Sequence, residues 1–307
     1  MNVLSLFGGI ECGYNSFLNN NIKIDNYYSC EIDKYASAIS RYNINNIIEL
    51  GDVSKVDFSS LKDIDIVIGG SPCTYWSIAK KNREVTNEGI GYELFMQYVR
   101  VLKETNPKYF IYENNHSIHD DIKQSISKEL GVDYIMINSS LVSAQNRKRC
   151  YWTNIPEICQ PEDKKIVVKD ILDPFVDLKY YISPEEVESK FKYSIRNTSL
   201  LDVKYNDASV RLGNFNKGGQ GDRVYWEYGK SITLSANGGG RGAKTGLYMI
   251  DKSIRRLTPV EAENYKRYLI IGPNMVLMNL VKLYQFLMHK YINVLVMVGH
   301  LMLSHIY

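Results

Sequence analysis

The chain has 307 residues, 45% apolar and 23% charged, a formal charge of +3 and five scattered cysteines. That is the make-up of a soluble globular protein of one large domain or two, and it excludes a disulfide framework and a paired-cysteine metal site. The weak positive charge permits a nucleic-acid partner without demanding one. A reducing cytosol fits the cysteine usage, and no basic region or cleavage signal precedes the first strand pattern, so a cytoplasmic protein that stays off the membrane is expected.

Val3 to Phe7 is a short apolar strand pattern that runs into Gly8-Gly9-Ile10-Glu11-Cys12-Gly13 and then a helical pattern through Tyr14, Phe17 and Leu18. Strand, glycine-rich turn and helix open many nucleotide-binding α/β domains, because glycine lets the backbone approach a ligand closely. A second strand, Tyr27 to Cys30, ends in Glu31, placed either to bond ribose hydroxyls or to cap a helix. The segment from Ile47 puts Asp52 at a further strand end. Ile64 to Ile68 is a buried strand that opens through Gly69-Gly70-Ser71 into Pro72-Cys73. A thiol at that end of a strand is either a nucleophile stiffened by the neighbouring proline or a small buried apolar side chain. Glu93 to Thr105 reads as an amphipathic helix, with Leu94, Tyr98, Val101 and Leu102 on one face.

Tyr109 to Tyr112 is a fifth strand, ending in Glu113-Asn114-Asn115. Alternating β and α units imply a mostly parallel, doubly wound sheet of Rossmann-like α/β class, with Cys73 and Glu113 at carboxyl ends of neighbouring strands. Gln145-Asn146-Arg147-Lys148-Arg149 places alternate basic residues on one face of an extended segment, or forms a solvated basic loop. Residues 155–250 change character: polar stretches alternate with short β patterns at Arg223–Trp226 and Ser231–Leu234. The loop Asn237 to Gly242, with Arg241, could follow phosphates or simply connect.

Taken in order, these segments resemble the DNA cytosine-5 methyltransferases of bacterial or phage type. Phe7-Gly8-Gly9-Ile10-Glu11-Cys12-Gly13 is similar to the family's first motif, without its second glycine. Gly69-Gly70-Ser71-Pro72-Cys73 resembles the Pro-Cys motif, with Thr74 where many members have Gln. Tyr112-Glu113-Asn114-Asn115 resembles Glu-Asn-Val, Gln145-x-Arg147-x-Arg149 matches Gln-x-Arg-x-Arg, and Arg256-Leu257-Thr258-Pro259-Val260-Glu261 is similar to the late Arg-x-Leu-Thr-Pro-x-Glu motif.

The resemblance implies the S-adenosylmethionine-dependent methyltransferase fold with a small target-recognition region. It implies Cys73, Glu113, Arg147 and Arg149 as catalytic residues, and Phe7, Gly8, Gly9, Gly13, Glu31, Asp52 and Pro72 as the cofactor site. Gln145 and Arg241 would touch DNA. Double-stranded DNA is the implied partner, a cognate restriction endonuclease a further candidate, a monomer the implied state, and no metal is implied. The implied divisions are 1–155 for catalysis and cofactor, 156–250 for target recognition, 251–263 returning to the catalytic domain, and 264–307 as a tail.

That tail departs from the family. Leu295 to Leu303 crowds Met, Leu, Val and His without helical or strand phasing. Translated one nucleotide out of frame, codons compatible with these residues give Gly-Asn-Gly-Trp-Ala-Leu-Asp-Val, the closing motif the family should have. A frameshift near Asn264 to Arg267 is the reading, which leaves two functional alternatives: an active methyltransferase, or a remnant that binds DNA or cofactor without turnover. A nicotinamide-dependent oxidoreductase on the same fold fits the glycine turn but leaves the other motifs unexplained.

Overall fold

The computed structural model describes residues 1–78, 80–194, 205–234 and 240–267. The residues from 268 onward that carry the candidate shifted frame, and residues 237–239 of the glycine-rich loop, lie outside them. The chain divides into two compact units. The first comprises, among the described residues, Met1–Ile137 and Lys148–Gln160; the second takes Asn138–Arg147 and the described residues from Pro161 onward. This differs from a single break after residue 155. Gln145 and Arg147 fall in the second unit and Arg149 in the first, and residues 251–263 stay with the second unit rather than returning to the first.

The first unit is built on a seven-stranded sheet among the described residues. Its strands are β1 (Asn2–Leu6), β2 (Asn26–Cys30), β3 (Ile48–Glu49), β4 (Ile66–Gly69), β5 (Tyr109–Asn115), β6 (Ile135–Asn138) and β7 (Lys148–Thr153), in the spatial order β3-β2-β1-β4-β5-β7-β6. β1 to β5 pair in parallel, and β7 runs antiparallel to β5. The apolar runs are continuous because both faces are covered. Leu4, Leu6, Val67, Phe110 and Tyr112 pack into one core with Phe95 and Tyr98 of the helix α2 (Ile90–Thr105). Val3, Ile66, Ile68 and Ile111 pack into the other with Phe17 of α1 (Cys12–Asn19). Residues one apart thus serve opposite faces, as a two-residue period requires. The strand order reverses direction at β1 and β4, which makes the carboxyl ends of these strands the expected ligand crevice of such a sheet.

The mostly parallel, doubly wound sheet expected from the sequence is therefore present, and the helix expected at 93–105 begins three residues earlier. Its buried face is Phe95, Tyr98, Val99 and Val101.

The second unit carries a five-stranded sheet, in the order β12-β11-β10-β9-β8 among the described residues. Its strands are β8 (Lys192–Tyr193), β9 (Arg211–Asn214), β10 (Arg223–Trp226), β11 (Leu247–Ile250) and β12 (Ser253–Arg256). β10 is the strand the sequence indicates. Ser231–Leu234 is not a strand: Ser231 makes one isolated bridge, to Gln145, and the next N–H, of Ile232, donates to the Tyr248 hydroxyl rather than to a strand. Among the described residues, no helix is long and apolar enough to cross a membrane.

Candidate active site

β1 hands the chain to the glycine turn through a run of positive φ angles, at Phe7 (57°), Gly9 (63°) and Glu11 (56°). The turn closes on β2: Cys30 O accepts from Phe7 N at 2.8 Å. Glu31, the residue after β2, is buried, and its carboxylate collects three main-chain N–H groups. Oε2 accepts from Gly9 N at 2.8 Å; Oε1 accepts from Ile32 N at 2.9 Å and Asp33 N at 2.8 Å. A carboxylate offers about four acceptor sites, so the arrangement fixes the turn and leaves capacity for about one more donor, such as a ribose hydroxyl. Asp52 caps the short turn Val53–Lys55, accepting from Ser54 N at 3.0 Å and Ser54 Oγ at 2.8 Å. These bonds hold its carboxyl below the usual aspartate range.

β4 and β5 pair with Gly69 opposite Tyr112, so the loops that follow them leave from the same edge. Gly70 is required there: a Cβ would come within 2.5 Å of the Glu113 main-chain oxygen and 3.2 Å of Glu113 Oε2. Ser71 Oγ and the Tyr112 hydroxyl are 2.7 Å apart, and Asn114 Nδ2 donates to Ser71 O at 3.2 Å and to Tyr112 Oη at 3.1 Å. Pro72 then caps a single 3₁₀ turn, Cys73–Tyr75, which Trp76 anchors in the core. The Cys73 carbonyl accepts from Trp76 N at 3.1 Å and Ser77 N at 2.9 Å. Its thiol is half-buried, whereas Cys12, Cys30 and Cys150 are buried. Burial pushes the Cys30 and Cys150 thiols up to about 12, so both stay protonated and unreactive at neutral pH.

Across β5, the β7 residue Arg149 brings Nε to 2.8 Å from Glu113 Oε1, with both side chains about one-tenth exposed. The antiparallel register sets this up by pairing Asn115 with Arg149 and Glu113 with Tyr151. The first unit thus brings together the loops bearing Cys73 and Glu113 and adds Arg149, at the switch-point edge where the glycine turn also lies.

The remaining candidates belong to the second unit. Gln145 and Arg147 alternate inward as expected; both are buried while Lys148 is exposed. Their main chain is clamped. Arg147 N donates to Asn138 Oδ1 at 2.9 Å, Asn146 N to Ser231 O at 3.0 Å, and Thr233 Oγ1 to Asn146 O at 2.7 Å. Arg241 donates from Nε to Glu186 Oε1 at 2.7 Å and from Nη1 to Asp222 Oδ1 at 3.3 Å, and it lies over the Phe215 ring. These two carboxylates occupy a large part of its donor set within the unit itself.

Three buried ionic groups escape the sequence reading. Glu11 turns its carboxyl into the protein, where Tyr27 Oη donates at 2.8 Å and Ser29 Oγ also donates. Lys230 gives its ammonium to the carbonyls of Ser140 (2.6 Å), Ser143 (3.3 Å) and Ile166 (2.5 Å). Arg255 forms a two-pronged pair with Glu261 at 2.6 and 2.8 Å; counted back from Glu261, the seven-position Arg-x-Leu-Thr-Pro-x-Glu spacing begins at Arg255, one residue before the Arg256 expected. A charged residue inside a turn of small and apolar neighbours is the only signal for Glu11; Lys230 has none.

The sequence model of the C-5 cytosine-specific DNA methylases matches residues 1–268. The orphan methyltransferase M.Rho11sI of Bacillus phage rho11s is 30% identical over 316 residues, covering 83% of this chain and 61% of that protein. The type II methyltransferase M.HhaI of Haemophilus parahaemolyticus is 30% identical over 267 residues, 78% of this chain and 76% of that protein. The chain spans less than two thirds of the length of the matched Bacillus phage relatives. Among solved structures, the Entamoeba histolytica methyltransferase EhMeth superposes with a TM-score of 0.66 at 14% identity, covering 98% of this chain and 96% of that one, a likeness of fold.

Proposed function

The chain belongs to the C-5 cytosine-specific DNA methylase family, and from that premise we propose that it methylates carbon 5 of cytosine in duplex DNA, with Cys73 as covalent nucleophile. The observation that carries this reading is the shared edge of β4 and β5, where the Pro72-Cys73 turn leaves beside the Glu113–Arg149 pair. A cytosine stacked in a duplex is out of reach of such a thiol, so the base must be flipped out first.

The cofactor is S-adenosylmethionine, which supplies an electrophilic methyl group. The residues present fit its nucleoside: the positive-φ turn lets backbone approach closely, and Glu31 retains acceptor capacity for a ribose hydroxyl; Asp52 is the acid proposed for the adenine amine. Phe7, Gly8, Gly9, Gly13 and Pro72 complete that site.

Carbon 5 of cytosine is a weak nucleophile. The Cys73 sulfur, its proton released to water, bonds carbon 6, and the carbon 5–carbon 6 π pair moves onto carbon 5 with its charge spread to the ring edge. Glu113 holds that edge at nitrogen 3 and the exocyclic amine; at nitrogen 3 it needs a carboxyl proton or one shared with the ring. Arg149 orients Glu113 and is available to the cytosine carbonyl or the adjacent phosphate, while Arg147 supports the loop. Once carbon 5 carries its methyl group, its proton passes to water and the carbon 6–sulfur bond breaks, which regenerates Cys73.

The second unit, with Gln145, Arg147 and Arg241, is the proposed DNA-recognising part. The protein acts as a monomer in the cytoplasm of a bacterium or a phage-infected cell. The shifted-frame motif within residues 295–303 favours one alternative, a remnant that binds without turnover.

One experiment addresses both. The chain, and a version with the frame restored after Asn264, are incubated with 5-fluorocytosine DNA and the methyl donor, and bisulfite sequencing follows expression in cells. A denaturation-stable adduct that Cys73→Ala abolishes is expected. An adduct that persists in Cys73→Ala sinks the nucleophile assignment, and turnover confined to the restored frame identifies this chain as the remnant.

A further inference from the structure

Glu11 stands where the glycine turn becomes α1. It holds a left-handed conformation, φ 56° and ψ 47°, at the helix N-cap, yet its side chain makes no capping bond. The side chain turns instead beneath the turn, fully buried. Oε2 accepts from Tyr27 Oη at 2.8 Å and Oε1 from Ser29 Oγ, so the carboxyl is tied to β2. There it fills the space directly over Gly8. The three atoms nearest to a Cβ built on Gly8 are those of the Glu11 carboxyl group, all within clashing distance. Gly8 and Glu11 are therefore one device: the absent side chain at position 8 is the room the carboxyl occupies. One residue on from Gly8, Gly9 N donates to the second buried acid, Glu31.

We infer that Glu11 is a positioning residue for the cofactor site, a strut that ties the Gly8–Gly9 turn to β2 and so presents Gly9 N to Glu31. The inference rests on the reading of this turn as the S-adenosylmethionine site. An ordinary helix cap would face the α1 N–H groups, and an ordinary buried acid would have no reason to exclude a methyl group at its neighbour.

The strut is also sensitive to pH. Burial, with a smaller contribution from the Glu31 charge, pushes the Glu11 carboxyl up to about 7. The groups that face it are Ser5 of β1, Tyr27, Ser29 and Cys30 of β2, Cys12 of α1 and Glu31. Tyr27 and Cys30 are themselves pushed up by burial and keep their protons through the neutral range. A carboxyl whose folded value lies above its unfolded one binds the extra proton in the native state. The native state therefore loses stability as pH rises from the unfolded value toward about 7.

The test is a double-mutant cycle read by calorimetry with S-adenosylmethionine and by thermal melting without it. Glu11→Ala should weaken cofactor binding about tenfold or more, and Glu11→Gln, which keeps the shape and an acceptor, should recover most of that loss. Gly8→Ala should weaken binding strongly in the native background and hardly at all in Glu11→Ala. Equal effects of Gly8→Ala in both backgrounds, or native affinity in Glu11→Ala, overturns the inference. Should Glu11→Ala fail to fold, Glu11→Asp, whose shorter side chain withdraws from Gly8, carries the same comparison. The melting temperature should fall between pH 5 and 8 with a slope that Glu11→Gln reduces; an unchanged slope removes the pH claim. If no form binds S-adenosylmethionine, the cofactor reading fails, while the Gly8–Glu11 coupling is still read from melting.

Discussion

Two sets of buried charge, one in each unit, serve opposite ends. In the first, Glu31 is buried where β2 finishes, its carboxylate held by three main-chain N–H groups beside the switch-point edge. In the second, Arg255, Glu261 and Lys230 bond to groups of the same unit. Arg255 and Glu261 pair through two bonds, Glu261 also accepts from Thr258 N at 2.8 Å and Asp173 N at 3.0 Å, and Lys230 is saturated by three carbonyls. A buried charge matched by an opposite charge or a full set of carbonyls within its unit contributes to structure. One that keeps capacity in hand at a crevice is poised for a ligand. The contrast assigns stability effects to Arg255, Glu261 and Lys230 and binding effects to Glu31.

The largest expected effect tests the closed case. Arg255→Met leaves the Glu261 carboxylate buried without its cation, a loss of about 3–5 kcal/mol for a pair of this kind. Urea unfolding followed by fluorescence of the three tryptophans should show the midpoint fall. Replacing both partners by apolar residues should recover much of the loss, since the penalty comes from the stranded charge. A single variant as stable as the native chain would break the contrast.

The pattern also explains what could be read in the sequence. β1, β2, β4 and β5 were legible because a strand buried on both faces must be an apolar run, as Ile64 to Ile68 is. The Pro72-Cys73 turn and Glu113 were legible because each ends such a run. The second sheet was not. β12 is Ser253–Arg256, with two arginines in four residues, and only its pairing with β11 makes it a strand. Ser231–Leu234 had the better β pattern and yet forms a single bridge. Lys230 was invisible for the same reason: its three acceptors lie 64 to 90 residues away along the chain. Burial of an ion by remote main chain leaves no local periodicity. Arg256 donates to Lys179 O, while its neighbour Arg255 takes the buried pair; the seven-position Arg-x-Leu-Thr-Pro-x-Glu spacing, counted back from Glu261, already marks Arg255.

The open case comes next in size. Glu31→Ala removes the acceptor for Gly9 N and the candidate ribose acceptor, so S-adenosylmethionine affinity should fall by about 1–3 kcal/mol, the range for hydrogen bonds to a charged group. Calorimetry at fixed pH measures it. Global stability should change less than in Arg255→Met, because Glu31 lies beside the crevice rather than at the centre of a closed network. A Glu31→Ala chain that binds cofactor normally but unfolds early would place Glu31 with the closed ions and erase the distinction between the two sets.

Asp52 should give the smallest effect, and it sharpens the contrast from the other side. Its carboxyl side chain is about one-third exposed, and its bonds go to Ser54 and, at 3.4 Å, to Lys55. Solvent screens such a group, so loss of the cap in Asp52→Ala should cost about 0.5 kcal/mol of stability, the low end for capping residues. The sign with pH follows from the bonds from Ser54, which hold the folded carboxyl below its unfolded value. The stabilisation is complete above the unfolded value of about 4 and drains away as pH falls through the lower, folded one. Native and Asp52→Ala chains should therefore differ slightly in melting temperature at pH 6 and converge in strong acid. If Asp52 also holds the adenine amine, cofactor affinity should drop at pH 7 by more than the stability does. Equal affinity with the small stability loss alone would leave Asp52 a turn cap, and Glu31 the acid through which this edge grips the nucleoside.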